Sequence, residues 1–235
     1  MVIAGLFVAA YLYVAYQPRH RGPDDGHPAL FWLGLASFAL ALLSPLHTIS
    51  DRYLLSAHMI QHMLLTMIGP PLMLAGLPSG RLSRLGINPW LAVTLFNVVL
   101  LVWHWPGLYQ ATLYHQSVHI LEHMTFIATG LAFWWPIVGP GSRGADRMSP
   151  LMKIGYLGFA AVPPTVLGMI LALDPTPLYQ FYAFAPRLFA GIGPVLDQQL
   201  AGIIMFGLGN VIYFVPVSVN FMRLGEEPEV VPAGG

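Results

Sequence analysis

The sequence predicts an all-α integral membrane protein, a seven-transmembrane-helix bundle with its N-terminus outside the cell and its C-terminus in the cytoplasm. Of its 235 residues, 56% are hydrophobic and only 9% are charged, whereas roughly 25% of a soluble domain is charged. Because so little charge cannot keep a surface soluble in water, a lipid bilayer is the expected solvent. The zero formal net charge gives no indication of nucleic-acid binding, and the absence of cysteine excludes disulfides and thiolate metal sites.

Seven apolar segments approach the length of about 20 residues that a membrane-spanning helix needs. In chain order they are 1–16, 29–46, 54–75, 89–105, 117–138, 151–173 and 197–222, and we expect them to form a single transmembrane domain. The first segment is short, but it lacks the basic start and the cleavage site of a signal peptide, so we interpret it as a helix. Pro70-Pro71 and Pro163-Pro164 lie inside the third and sixth segments, where neighbouring helices can accommodate a kink.

The distribution of positive charge predicts the orientation. Eight of the ten lysines and arginines lie in the first, third and fifth connections, at the start of the sixth segment, or in the C-terminal tail. Only Arg52 and Arg187 lie on the opposite side. Since positive charge is enriched in cytoplasmic loops, the C-terminus is expected in the cytoplasm and the N-terminus outside.

Seven of the nine histidines lie at the outer ends of these segments or in outer loops: His47, His58, His62, His104, His115, His119 and His123. A spacing of four residues puts His58 and His62 on one helical face, and likewise His119 and His123. Polar side chains at this depth tend to face the bundle interior. Two facing pairs can supply four nitrogen ligands to a metal, and imidazole suits copper, zinc and iron.

Four acidic residues lie near the same outer end, and besides Asp174, which follows the sixth segment, three of them are candidates to support the histidines. Glu122 is inside the fifth segment, Asp51 precedes the third, and Asp197 opens the seventh. Histidines that bind a metal usually donate their second N–H to a carboxylate or a carbonyl. We therefore expect Glu122, Asp51 and Asp197 to support the histidines by accepting their second N–H.

Other outer residues receive a plainer interpretation. We interpret His47 and His115 as interfacial side chains. Met59, Met63 and Met124 each follow a histidine by one residue, so they point about 100° away from it, and we interpret them as flexible core filling. The stretch 174–194 is either an outer lid, a partner-docking surface or a simple interfacial loop.

Several motifs resemble those of one family. The stretches SDRYLLSAHMIQHMLLTMIGPPLMLAGLP, WHWPGLYQATLYHQSVHILEHMTFIATGLAFWWPIVGP and DQQLAGIIMFGLGNVIYF resemble the CtaG-type cytochrome c oxidase assembly factors, which are polytopic membrane proteins. The matching positions are Asp51, His58, His62, His104, His119, Glu122, His123 and Asp197. The resemblance implies a place in the bacterial plasma membrane, haem-copper oxidase subunits as partners, and copper delivery to the oxidase.

We therefore expect an assembly factor that binds copper through His58, His62, His119 and His123, with His104 next, and passes it on by ligand exchange without catalysis. One alternative is a haem- or redox-metal-binding protein with facing histidines on the third and fifth segments. A second is a membrane metalloenzyme with zinc or iron, and a third is a metal-free scaffold. A retinal protein is excluded because the only lysine, Lys153, lies at the cytoplasmic edge.

Overall fold

The computed structural model describes residues 26–78, 85–140 and 148–224, and every regular element in these ranges is a helix. We number the described helices α1 (Pro28–Leu43), α2 (Pro45–Arg52), α3 (Leu55–Gly76), α4 (Pro89–Trp103), α5 (Pro106–Tyr114), α6 (Gln116–Val138), α7 (Pro150–Leu173), α8 (Gln180–Phe184) and α9 (Pro194–Leu224). The all-helical fold class is thus confirmed. The predicted helix 1–16 lies outside the described residues.

Three of these helices, α3, α7 and α9, are each long and apolar enough to cross a membrane. Two bent pairs, α1 with α2 (48°) and α4 with α5 (75°), raise the number of candidate spans to five if each pair counts as one. Helix α6 has 23 residues but contains the polar stretch HILEH and is not among the candidates. For the described ranges the count is therefore three to five, and the seven-helix count and the orientation of the termini stay predictions.

Prolines divide two of the predicted segments. The predicted helix 29–46 ends at Leu43, and the predicted helix 89–105 ends at Trp103, because Pro45 and Pro106 each begin a new helix. Proline lacks a backbone N–H and disfavours helical geometry at the residue before it, so the chain bends there. Helix α2 consequently packs on α3.

A π-helical turn at Leu64–Ile68 precedes the proline pair in α3. The Gly69 N–H donates to the Leu64 carbonyl, five residues back. Pro70 has no N–H to offer the Thr66 carbonyl, and the Trp134 indole of α6 donates to that carbonyl instead, at 2.9 Å. A neighbouring helix thus satisfies the backbone group that proline leaves open, as membrane helices require.

The bundle has a buried helix and two helices exposed at its periphery. The apolar stretch of α3 is 67% buried, against 28% for α7 and for α9. The outward faces of α7 and α9 expose large apolar side chains such as Phe159, Phe214 and Phe221, which suits contact with lipid. These two helices meet closely, because a Cβ at Gly202 would lie 2.4 Å from the Gly168 carbonyl oxygen.

Candidate metal centre

The start of α3 is held in place by Asp197, the aspartate in the first turn of α9. Its carboxylate accepts hydrogen bonds from the backbone N–H groups of Leu55 (2.7 Å) and Ser56 (3.0 Å) and from the Ser56 hydroxyl (2.6 Å). These are N–H groups that the first turn of a helix leaves without internal acceptors. Asp197 therefore lies near the histidines as a helix cap, and its two oxygens are occupied by α3.

One turn further along α3, His58 and His62 face the interior together. Their Nε2 atoms lie 2.8 Å apart, and the two side chains are buried. The nearest carboxylate oxygen is Oε1 of Glu122 on α6, 3.6 Å from His62 Nε2 and 3.9 Å from His58 Nε2. The donor atoms of these three residues all lie within 4.8 Å of one another, a spacing that could hold a metal ion.

Glu122 is wholly buried, and neither of its oxygens accepts a hydrogen bond from any of the described residues. Thr112 lies close to it, but the Thr112 hydroxyl donates to the Tyr109 carbonyl at 2.7 Å. Buried polar groups in proteins nearly always have a partner. An orphaned carboxylate among imidazoles is therefore a feature that needs a ligand or a proton to complete it.

Helix α6 contributes the second histidine pair, with the rings of His119 and His123 4.2 Å apart. These two residues and Glu122 form another group whose donor atoms lie within 4.8 Å. The pair faces the pair on α3, since the His58 and His119 rings are 6.2 Å apart and the His62 and His123 rings 6.0 Å apart. The four histidines predicted to meet are thus brought together.

The bend after Ser44 adds two residues of α2 to this group. Asp51 lies 3.5 Å from His47 Nε2 and 3.6 Å from His119 Nε2, and the three residues form a third group within 4.8 Å. Gln61 orients His47, because its side-chain amide lies 3.0 Å from His47 Nδ1 and its carbonyl accepts from the Ser50 hydroxyl. His47 is therefore part of the cluster, which its interpretation as interfacial did not anticipate.

An open polar pocket of about 360 Å³ lies beside Asp51 and His119, and His47 and Asp51 are only partly buried. The cluster thus opens to its surroundings on the α2 side. His115, in contrast, is exposed and belongs to none of the three groups.

His104 follows α4 and lies 5.9 Å from His62, measured between ring centroids. Its Nδ1–H donates to the Leu100 carbonyl at 2.8 Å, which fixes the tautomer and leaves the lone pair on Nε2. That Nε2 atom has no hydrogen-bond partner in the described part of the chain. A fixed tautomer with a free lone pair is the arrangement found in metal-binding histidines.

The stretch after α7 covers the cluster with two tyrosines that the sequence interpretation missed. The Tyr182 hydroxyl donates to the Ser50 carbonyl and lies 3.2 Å from His58 Nδ1, and the Tyr179 hydroxyl donates to the His104 carbonyl at 2.9 Å. Burial raises the pKa of both phenols well above the ordinary value, so both remain neutral donors. Because the Tyr182 proton is used by Ser50, His58 Nδ1–H donates to the phenol oxygen and presents the Nε2 lone pair to His62.

Comparison with known proteins agrees with these motifs. A family model described as "Cytochrome c oxidase caa3 assembly factor (Caa3_CtaG)" matches residues 9–226. No curated protein and no solved structure gives a significant match. The matched range includes every residue of the three groups.

Proposed function

The chain belongs to the family of cytochrome c oxidase caa3 assembly factors, and from that premise we propose that it binds copper at the histidine cluster and delivers it to the oxidase during assembly. The assembly role is that of the family. The copper site and its transfer are our proposal, and its client would be a haem-copper oxidase subunit that has not yet received its metal.

The observation that carries this proposal is the unpartnered Glu122 carboxylate, which two of the three groups share. The surrounding donors are imidazoles, with Asp51 at the partly exposed margin. Nitrogen-rich sets of this kind suit copper and zinc, whereas calcium and magnesium prefer oxygen ligands. A cation at this position would also give the buried carboxylate the partner that it lacks.

The three groups overlap, which suits an ion that has to be passed on. From the margin inward they are His47, Asp51 and His119; then His119, Glu122 and His123; then His58, His62 and Glu122. Each group shares one residue with the next, so an ion can exchange ligands one at a time. No step in this transfer requires the ion to leave all of its ligands at once.

The proposed location is the extracytoplasmic side of the bacterial plasma membrane. The positive-inside distribution of the sequence supports this orientation. The pocket beside Asp51 and His119 would then face the compartment from which copper enters. The ends of α3 and α6 that hold the histidines would lie within the outer leaflet.

Ring packing favours a small ion over a haem. The imidazole rings of the cluster lie 4.2 to 6.2 Å apart, whereas a haem needs room for its flat macrocycle between two axial histidines. A zinc or iron enzyme remains the second candidate, because Glu122 beside two histidine pairs could activate water. Metal identity separates these possibilities.

Elemental analysis of the detergent-purified protein from copper-replete cells is the direct test. We expect stoichiometric copper in the wild type, loss of that copper in the double variant His58→Ala/His62→Ala, and no loss in the control His115→Ala. In cells, the double variant should lower the copper content and the activity of the oxidase, whereas the control should not.

Three results would overturn the proposal. Stoichiometric iron would indicate the haem or iron alternative, and stoichiometric zinc the metalloenzyme. Protein that is metal-free and takes up no added copper would favour a scaffold. Normal oxidase copper in cells that carry the double variant would rule out this cluster as the delivery site.

A further inference from the structure

A small cavity lies next to the histidine cluster, toward the middle of α3. It has a volume of about 40 Å³, and its lining includes Met59, Met63, Met67, Met205, His62 and His104. All four methionines are buried. Three of them come from α3, and Met205 comes from the π-helical turn of α9. Four methionines therefore line one cavity.

Two buried imidazoles in the lining have an unused nitrogen. His62 uses Nε2 toward His58, at 2.8 Å, while its Nδ1 has no partner among the described residues. His104 uses Nδ1 toward the Leu100 carbonyl, and its Nε2 is likewise without a partner there. With His58 Nε2 as the acceptor, His62 donates through Nε2–H and carries its lone pair on Nδ1. Each of these two lining residues thus keeps one lone pair that no hydrogen bond uses.

The chemistry of this lining is selective. Thioether sulfur with imidazole nitrogen is a ligand set that favours Cu(I), whereas Mg²⁺, Ca²⁺ and Mn²⁺ prefer carboxylate and carbonyl oxygens. No carboxylate lines the cavity, so a divalent ion would be buried without a compensating charge. A monovalent ion costs far less to desolvate, because the Born penalty rises with the square of the charge.

We propose that this cavity is a second metal site, specific for a soft monovalent ion such as Cu(I), with Met59, Met63 and Met205 as thioether ligands and His62 and His104 as nitrogen ligands. This inference rests on the proposed copper function and adds an inner site to it. His62 belongs to both sites, because one of its nitrogens faces the cluster and the other is available to the cavity. Transfer between the two sites is then ligand exchange at His62: as copper moves from Nε2 to Nδ1, the ring proton moves from Nδ1 to Nε2, and the copper stays Cu(I) throughout.

X-ray absorption spectroscopy of the full-length protein, purified in detergent and loaded anaerobically with Cu(I), tests this site. We expect sulfur as well as nitrogen neighbours around copper in the wild type. The double variant Met63→Leu/Met205→Leu should lose the sulfur signal and one equivalent of bound Cu(I), because leucine keeps the volume of methionine but not its sulfur. Redox-inert Ag(I) should reproduce the loss of one equivalent.

The matched control is Met124→Leu/Met152→Leu, which replaces two exposed methionines that do not line the cavity and should change neither readout. Copper with only nitrogen and oxygen neighbours in the wild type would overturn the inner site, while the outer cluster and the proposed function would stand. The opposite combination is also informative. If the wild-type protein shows sulfur neighbours around copper but cells with the His58→Ala/His62→Ala variant keep normal oxidase copper, the delivery role is overturned and the cavity site stands. An unchanged sulfur signal in Met63→Leu/Met205→Leu would overturn the assignment of these ligands.

Discussion

In the described part of the chain two carboxylates are wholly buried, those of Asp197 and Glu122, and they differ in their hydrogen bonds. Asp197 accepts three hydrogen bonds of 2.6 to 3.0 Å from the start of α3. Glu122, in the middle of the histidine cluster, accepts none from the described residues, and the Nε2 atoms of His62 and His58 lie 3.6 and 3.9 Å from its Oε1. Asp197 thus has hydrogen-bond donors within the fold, whereas Glu122 has none among the described residues.

This difference separates a structural role from a binding role. Burying a polar group costs free energy unless its hydrogen bonds are replaced. Asp197 meets that requirement with backbone donors and thereby fixes the position of α3. Glu122 meets it only if a cation or a proton joins it, so its burial lowers the stability of the empty protein and raises the affinity for an ion. Substitution of each residue should therefore have opposite consequences.

The largest effect is expected for Asp197→Ala. The substitution leaves the buried N–H groups of Leu55 and Ser56 without acceptors and removes three hydrogen bonds to a charged group, so we expect a loss of about 3 kcal/mol or more in the free energy of unfolding. Thermal unfolding in detergent measures this loss of stability, with Asp174→Ala as the control. A melting temperature within a degree of the wild type would show that Asp197 is not a structural cap.

Glu122→Gln should instead lower the affinity for copper and leave the stability of the metal-free protein unchanged or higher. The amide keeps the shape of the side chain but removes the charge, so we expect copper affinity to fall at least about 10-fold, the lower end for loss of a supporting group at a metal site. The melting temperature of the metal-free protein should stay the same or rise, because a buried amide costs less than a buried carboxylate. Competition against a copper chelator gives the affinity, with His115→Ala as the control. Unchanged affinity would contradict the role of Glu122.

The sequence could not distinguish these two carboxylates, although it located both. From the sequence, each is expected to accept the second N–H of a histidine, because each lies at the outer end of an apolar segment. What separates them is the set of donors around each, and the donors to Asp197 lie about 140 positions away in the chain. Hydrophobic length predicts helices well because a spanning helix needs a fixed run of apolar residues. It contains no information about which side chain meets which donor.

The same limit explains the other omissions. The four paired histidines were predictable, since spacing of four residues fixes a shared face. His47 was not, because it reaches the cluster only through the proline bend that starts α2. Tyr182 was not, because it lies 124 positions from His58 in a stretch with no periodic pattern. The sequence predicts core filling for Met59 and Met63, and only the cavity between α3 and α9 suggests that they are ligands.

Tyr182→Phe tests whether the cover over the cluster contributes to binding, as a smaller effect than that of Glu122. The variant removes the donor to the Ser50 carbonyl and the acceptor for His58 Nδ1–H. We expect a loss of about 1 kcal/mol in the free energy of unfolding, together with a few-fold lower copper affinity as His58 loses its fixed tautomer. Tyr114→Phe, at an exposed tyrosine, is the control. Equal copper affinity in both variants would show that Tyr182 holds the stretch after α7 in place but does not contribute to copper binding.

The smallest effect is expected at a third carboxylate, Asp174, which follows α7 and is partly exposed. The hydroxyl and the backbone N–H of Thr176 donate to it at 2.7 and 2.8 Å and hold the pKa of this carboxyl below its ordinary value of 3.8. A depressed pKa stabilises the folded state above the unfolded pKa, and that stabilisation is lost as the pH falls through the lower, folded pKa.

The melting temperature of Thr176→Val should therefore lie slightly below that of the wild type, by the same amount at pH 7 and at pH 5. The difference should narrow below pH 3.8, because protonated Asp174 no longer gains from a charge-assisted bond. A difference that stays constant over this range would mean that the hydroxyl contributes through packing rather than through the charge. Asp174 would then stabilise the folded state by a different mechanism from that of Asp197, and not only by a smaller amount.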